Sequence, residues 1–207
     1  MAESARFWNK VALRYAKQPI KDQAVYNKKL AMTQAYFKPE MQLLELGCGT
    51  GSTAILHAPH VNHIHAVDIS SDMLDIAQHK VTEQGIQNIS FECTAVAKVK
   101  LQSETYDGVL ALSLLHLLED KEATICKVYE TLKPGGVFIT STVCLGDNMK
   151  FIKFIAPIGR FFGFFPLLKV FKASQLEKAL IDAGFAIEKN WQPGKNKAVF
   201  IIARKPL

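Results

Sequence analysis

The sequence is short of several things that would have named a function class at once. Its four cysteines, Cys48, Cys93, Cys126 and Cys144, include no C-x-x-C pair and no dense framework. That excludes a disulfide scaffold and a local thiolate zinc site, and it favours reduced thiols in the cytoplasm. The first residues, MAESARFWNKVALRYAKQ, lack the unbroken apolar stretch of a secretion signal. No run suits a membrane span, because Pro157, Gly159, Arg160, Gly163 and Pro166 interrupt the most apolar segment. No internal repeat, linker or low-complexity tract is present. What remains is a chain of 207 residues, 49% hydrophobic, long enough to bury a real core as one domain.

Charge is unevenly placed. Residues 1–38 carry eight basic and two acidic side chains, residues 39–149 six and fourteen, and residues 150–207 eleven and three. The formal +6 is therefore the remainder of an acidic middle between two basic ends, a pattern that says more about approach routes than the total does.

Hydrophobic periodicity predicts helices over 3–17 and 23–37, stopped by Pro19 and Pro39. From there the pattern alternates. MQLLEL and VNHIHAVD read as strands, TAILHA and SSDMLDIAQHKVTEQG as helices, with Ser70 or Ser71 as N-cap and Gly85 past the C-terminus. Strands Ile89–Cys93, Tyr106–Leu112 and Val137–Thr142 and a helix over Lys121–Leu132 continue it, completing five strand-plus-helix units. Strands spaced by helices predict a parallel sheet covered on both faces. The end differs: a helix over Ser174–Ala183 precedes FAIEKNWQ and KAVFIIARK, whose short PGKN connection permits only an antiparallel hairpin. The expected fold is thus α/β, Rossmann-like, with a seven-stranded, mostly parallel sheet, a C-terminal antiparallel hairpin and helices on both faces. Within one domain, 1–207, the expected parts are a helical arm (1–38), a cofactor-binding core (39–145), a lid (146–173) and a C-terminal helix and hairpin (174–207).

The core's signature is LLELGCGTG, which follows a strand and precedes a helix. There glycines let the backbone turn tightly and approach a ligand. Gly47, Gly49 and Gly51 are spaced G-x-G-x-G, not the G-x-G-x-x-G of a dinucleotide loop, which weakens a nicotinamide-linked oxidoreductase. Glu45 would repel a pyrophosphate but could hold a cationic group. Asp68 ends the next strand, where an acid can accept hydrogen bonds from both ribose hydroxyls.

ELGCGTG, VDIS, YDGVLALSLLHLL and LKPGGVFITS, in this order, resemble the class I S-adenosylmethionine-dependent methyltransferases over residues 41–142. The resemblance implies S-adenosyl-L-methionine as cofactor, with Gly47, Gly49 and Gly51 under its methionine part, Asp68 on the ribose, and Ile69 and Met73 near the adenine. Family members often read G-D-A after the third strand, where this chain reads Cys93-Thr94-Ala95. Thr94, Ala95 or a backbone group must then make the adenine contact. The arm is similar to the entry segment of ubiquinone-biosynthesis and phospholipid N-methyltransferases, in which an aromatic closes over the cofactor. Tyr15, Trp8 and Tyr26 are the candidates, with packing against a helix face as the alternative use.

Ser113 and His116 follow the fourth strand, where family members line the cofactor and acceptor pocket. His116 is the candidate general base, against a purely structural packing role. The position lacks the Asn-Pro-Pro-Tyr type of tetrapeptide of enzymes that methylate amide or nucleobase nitrogens, so nucleic acid is not expected as acceptor. His60-x-x-His63-x-His65 has no local carboxylate or Cys to complete a metal set, and no metal is expected. Seven of thirteen phenylalanines fall within 151–171, among the cations Lys150, Lys153, Arg160, Lys169 and Lys172. Such a segment suits either a lid over an apolar acceptor or an element that rests on anionic membrane. The expectation is methyl transfer to a small, apolar or lipid-like acceptor such as a quinone, aminophospholipid or thiol. The alternative is a non-catalytic cofactor-binding module that docks through 150–172. The expected place is the cytoplasm, with peripheral membrane contact as the open addition.

Overall fold

A computed structural model describes residues 2–147, 152, 155, 159 and 165–207. Most of the basic, Phe-rich stretch, and with it the lid and docking readings of 150–172, lies outside the described residues. The chain divides into two compact units, Met1–Val99 and Lys100–Leu207. Seven strands order as β3-β2-β1-β4-β5-β7-β6.

The first unit opens with α1 (Ala2–Ala16) and α2 (Gln23–Gln34), the latter capped by Asp22, whose carboxylate accepts from the Val25 N–H at 3.1 Å. Next come β1 (Gln42–Leu46), α3 (Ser52–His57), β2 (His63–Asp68), α4 (Ser71–Glu83) and β3 (Ile89–Cys93). β1 pairs parallel to β2, and β2 parallel to β3. A strand covered on both faces has no outward polar positions. Accordingly Leu43, Leu44 and Leu46 are fully buried, and so, in the same run, is the acid Glu45. The core joins Leu43, Ile64, Ala66, Leu74, Val81 and Ile89, with Phe37, Met41 and Phe91 packed against it. Each fully buried leucine or isoleucine contributes on the order of 2 kcal/mol. A polar brace closes the lower loops, where the Asn88 side-chain amide donates to the carbonyls of Ala58 (2.8 Å) and Val61 (3.0 Å).

The second unit holds β4 (Tyr106–Leu112), α5 (Lys121–Thr131), β5 (Leu132–Thr142), α6 (Ala173–Asp182), β6 (Ala186–Trp191) and β7 (Val199–Arg204). β4 and β5 are parallel, whereas β7 runs antiparallel to both β5 and β6. Phe138 and Phe200 are fully buried. Phe185 stacks between Phe138 (5.6 Å) and Tyr129 (5.0 Å) and so ties the sheet to α5.

Two expectations need correction. Residues 94–105 hold turns and no helix, so β3 leads to β4 without the helix that a count of five strand-plus-helix units would need. The strand expected from Val137 begins earlier, at Leu132, so Lys133–Gly136 lie within β5. Leu132 pairs with Tyr106 and Val137 with Gly108, leaving the intervening residues as a bulge. Lys205 holds that bulge, accepting from the Gly135 N–H and donating to the Gly136 carbonyl, each at 2.9 Å.

Candidate cofactor site in the first unit

The carboxyl ends of β1 and β2 converge on a loop in which three residues take positive φ: Gly47 (68°), Gly49 (54°) and Gly51 (70°). These left-handed turns fold Gly47–Gly51 back on itself before α3. Gly51 is fixed by space as well as angle, since a Cβ there would stand 2.8 Å from the Ala77 Cβ of α4. At Gly49 a Cβ would meet only ordinary contacts, Met73 Sδ at 3.7 Å and Tyr15 Cε1 at 3.9 Å, so backbone angle alone demands glycine.

Asp68 is the hub. Its Oδ2 accepts from the Gly49 N–H at 2.8 Å and its Oδ1 from the Ser70 N–H at 2.9 Å. One carboxylate thus locks the glycine loop to the start of α4 and keeps further lone pairs free to accept. Burial pushes the Asp68 carboxyl up, and the N–H bonds from Ser70 and Gly49 offset that. The Asp68 carbonyl accepts from the Thr94 N–H at 2.9 Å, which sets Thr94 and Ala95 beside the Asp68–Ile69 step. Met73 is buried in the first turn of α4.

Glu45 lies on β1 with its Oε2 unpartnered among the described residues. Burial, then the charge of Asp68, raises its carboxyl to about 8. Burial, followed by Glu45 and Asp68, also keeps the Cys48 thiol protonated. Two carboxyls and a thiol near enough to raise one another form a cluster chemically suited to a positive group. Because the folded pKa of Glu45 lies above its ordinary value near 4.5, this group costs stability increasingly as pH rises from there to about 8. Glu45→Gln is therefore expected to raise Tm more at pH 8.5 than at pH 6. Parallel Tm profiles for the two proteins would overturn this.

Tyr15 reaches the site from α1. Its ring stays 45% exposed, which contradicts a core role, and it packs edge-on to Trp8 with centroids 6.2 Å apart. Partial burial, then the charge of Asp68, raises its phenol. Tyr26 holds its hydroxyl 3.4 Å from Thr53 Oγ1 on α3. Glu45, Gly47, Gly49, Gly51, Asp68, Ile69, Met73, Thr94, Ala95 and Tyr15 thus belong to the first unit.

Ser113 and His116 belong to the second. Ser113 takes φ 58°, rare for a residue with a side chain, and donates its N–H to the Ser141 carbonyl at 2.7 Å. His116 sits buried in a short 3-10 turn, Leu115–Leu117, with Nδ1 unpartnered among the described residues, and its carbonyl accepts from the Lys169 N–H at 2.8 Å. Burial lowers its ring to about 4, so it is neutral at pH 7 and a weak base. His63 and His65 engage separate partners, Ser90 Oγ at 2.8 Å and Glu92 Oε2 at 3.0 Å.

Two residues escaped sequence reasoning. Lys80 of α4 donates to the Thr50 carbonyl (3.0 Å), Thr50 Oγ1 (3.2 Å) and Ser52 Oγ (3.0 Å), pinning the glycine loop from behind. Asn9 of α1 bonds to Ser70 and Ser71. Neither has a local signal, since their partners lie 28 or more residues away.

A methyltransferase-domain family profile matches residues 43–136, from β1 into β5. The demethylmenaquinone methyltransferase of Symbiobacterium thermophilum is 30% identical over 68% of this chain and 54% of its own length. Residues 43–136 are thus a methyltransferase domain, and the chain has the fold of the class I S-adenosylmethionine-dependent enzymes. The chain spans about half the length of that curated relative. Among solved structures, the YcgJ protein of Bacillus subtilis superposes with TM-score 0.73 at 15% identity, covering 87% of this chain and 99% of its own. A phosphoethanolamine N-methyltransferase 2 of Haemonchus contortus, solved with phosphomonomethylethanolamine and S-adenosylhomocysteine, superposes with TM-score 0.72 at 18% identity, covering 88% and 53%. Both likenesses show the fold: the seven-stranded, mostly parallel sheet with antiparallel C-terminal strands.

Proposed function

We propose that this domain catalyses methyl transfer from S-adenosyl-L-methionine to a small apolar or lipid-like acceptor. The observation that carries this is the acidic, glycine-walled site of the first unit. Its orphaned, buried Glu45 Oε2 and its pre-set Asp68 fit a ligand that is cationic at one end and diol-bearing at the other. When bound, the cofactor supplies a methyl group on sulfonium sulfur, and sulfur keeps the bonding electron pair as the acceptor atom takes the methyl. Glu45 would ionise to meet the cation, Asp68 would accept from both ribose hydroxyls, and the Gly47–Gly51 backbone would leave room for the methionine part. Ile69, Met73, Thr94 and Ala95 would hold the adenine, and the Tyr15 ring beside the loop would favour a positive group by cation–π attraction.

Ser113 and His116 are assigned to the acceptor side. A histidine near pKa 4 deprotonates a hydroxyl poorly, so the reading favours an acceptor that arrives with its lone pair available, such as a thiolate or neutral amine. The demethylmenaquinone enzyme above supports a quinone within the range, and the phosphoethanolamine enzyme a small phosphorylated amine.

The basic ends suggest a peripheral approach to anionic membrane. On α1 the exposed residues Arg6, Lys10, Leu13 and Arg14 share one arc of roughly 100° at helical spacing, Lys17 follows just past the helix end, and Leu13 is 71% exposed. No helix among the described residues is long and apolar enough to cross a membrane. The test is a product screen by mass spectrometry with quinone, aminophospholipid and thiol pools presented in neutral or anionic vesicles. A product heavier by one methylene, formed faster on anionic vesicles and slowed by salt, is expected. No methylated product from any pool would favour the non-catalytic binding module.

A further inference from the structure

α1 is amphipathic, and Asn9 is a half-buried polar residue on it. Asn9 is flanked on the helix by Trp8 and by the buried Ala12, yet it turns to the first turn of α4. The Ser70 hydroxyl donates to Asn9 Oδ1 at 2.6 Å, and Asn9 Nδ2 donates to Ser71 Oγ at 3.3 Å. Ser70 is fully buried and already occupied in two other ways. As the N-cap of α4 its Oγ accepts from the Met73 N–H at 3.2 Å, and its own N–H holds Asp68 Oδ1. A single chain of hydrogen bonds therefore runs from Asn9 through Ser70 to Asp68, and from the other Asp68 oxygen to Gly49. Less than two helical turns after Asn9, Tyr15 places its ring over that same Gly49.

We propose that Asn9 is a positioning residue for the cofactor site. It clamps the arm to the Ser70 cap, so the seat of Tyr15 and the aim of the Asp68 carboxylate are set together. The inference rests on the cofactor reading above, and the clamp adds to it a link between arm and carboxylate. The clamp needs an acceptor at the Asn9 Oδ1 position and not an amide as such. Aspartate keeps the shape and accepts from Ser70 with a charge-assisted bond, near the N-terminus of α4 where negative charge is favoured. Leucine keeps the size and loses the bond.

The test is calorimetric binding of S-adenosylhomocysteine to the full chain, with tryptic cleavage after Arg14 and Lys17 followed in parallel. Asn9→Leu is expected to weaken binding about fivefold or more, as loss of a hydrogen bond to a buried hydroxyl implies. It is also expected to lose the protection that the ligand gives the arm. Asn9→Asp is expected to bind as wild type or tighter. Asn9→Ser, which keeps a polar side chain too short to reach Ser70, should behave as Asn9→Leu and stands in for it if the leucine protein does not fold. In turnover, KM for the methyl donor should rise in Asn9→Leu with kcat nearly unchanged, and Asn9→Asp should restore it, which general destabilisation would not do. Wild-type binding by Asn9→Leu or Asn9→Ser, or failure of Asn9→Asp to restore it, overturns the proposal and leaves the cofactor reading intact. If wild type itself binds neither S-adenosylmethionine nor S-adenosylhomocysteine, the cofactor reading falls, and the proposal with it.

Discussion

Asp68→Ala is expected to abolish measurable binding of S-adenosylhomocysteine, an affinity loss of about 100-fold or more with the fold retained. The carboxylate at the end of β2 accepts N–H groups from Gly49 and Ser70, at 2.8 Å and 2.9 Å, before any ligand contributes. Removing it leaves two backbone donors without their acceptor in a half-buried setting and takes away the charged acceptor proposed for the ribose hydroxyls. Hydrogen bonds to a charged group are worth about 1.5–3 kcal/mol each, so losing two ligand bonds alone accounts for two orders of magnitude. Asp68→Asn separates the contributions. Its amide keeps one carbonyl oxygen for Gly49 or Ser70 but turns an NH2 toward the other N–H, so it should bind better than alanine and far worse than wild type. Calorimetry with circular dichroism checks both. Binding by Asp68→Ala within threefold of wild type, on a folded protein, would remove Asp68 from the site.

The second large effect is on stability. Gly51→Ala places a side chain at φ 70° and a Cβ 2.8 Å from the Ala77 Cβ. The left-handed angle costs about 1 kcal/mol, and forcing α4 away from the loop costs about 1–3 kcal/mol more. For a chain of this size the sum corresponds to a drop of about 10 °C in Tm. The loop also carries Thr50, which Lys80 holds by its carbonyl and hydroxyl, so displaced contacts extend to the Lys80 ammonium. Ala77→Gly supplies the control. It relieves the overlap but not the backbone angle, so the double variant should be more stable than the two single effects predict by addition. A Tm for Gly51→Ala within 2 °C of wild type would show that α4 yields freely there.

Much of the cofactor site could be read from the chain because its residues are local. Glu45 to Gly51 are consecutive, and Asp68 ends the strand that follows, so strand-loop-helix geometry alone brings them to one edge. The Ser70 cap and the Gly85 C-terminus, with φ 65°, were legible for the same reason, each needing only its own helix. Where pairing partners decide, local reading failed. Lys133–Gly136 carries every mark of a turn, yet Lys205, some seventy residues on, pairs with it and draws it into β5.

By itself, then, the sequence determined the alternation of strands and helices, the G-x-G-x-G loop and the acid that answers it, because each depends on contacts within one strand-loop-helix step. Only the tertiary structure decided that Glu45, unpartnered among the described residues, is a carboxyl raised to about 8, that His116 is neutral, that Asn9 bonds to the Ser70 cap and that Lys80 braces the loop. Those properties come from burial and from partners distant in the chain. A residue's letter carries neither its solvation nor its neighbours across the fold, and both set its charge and its reach.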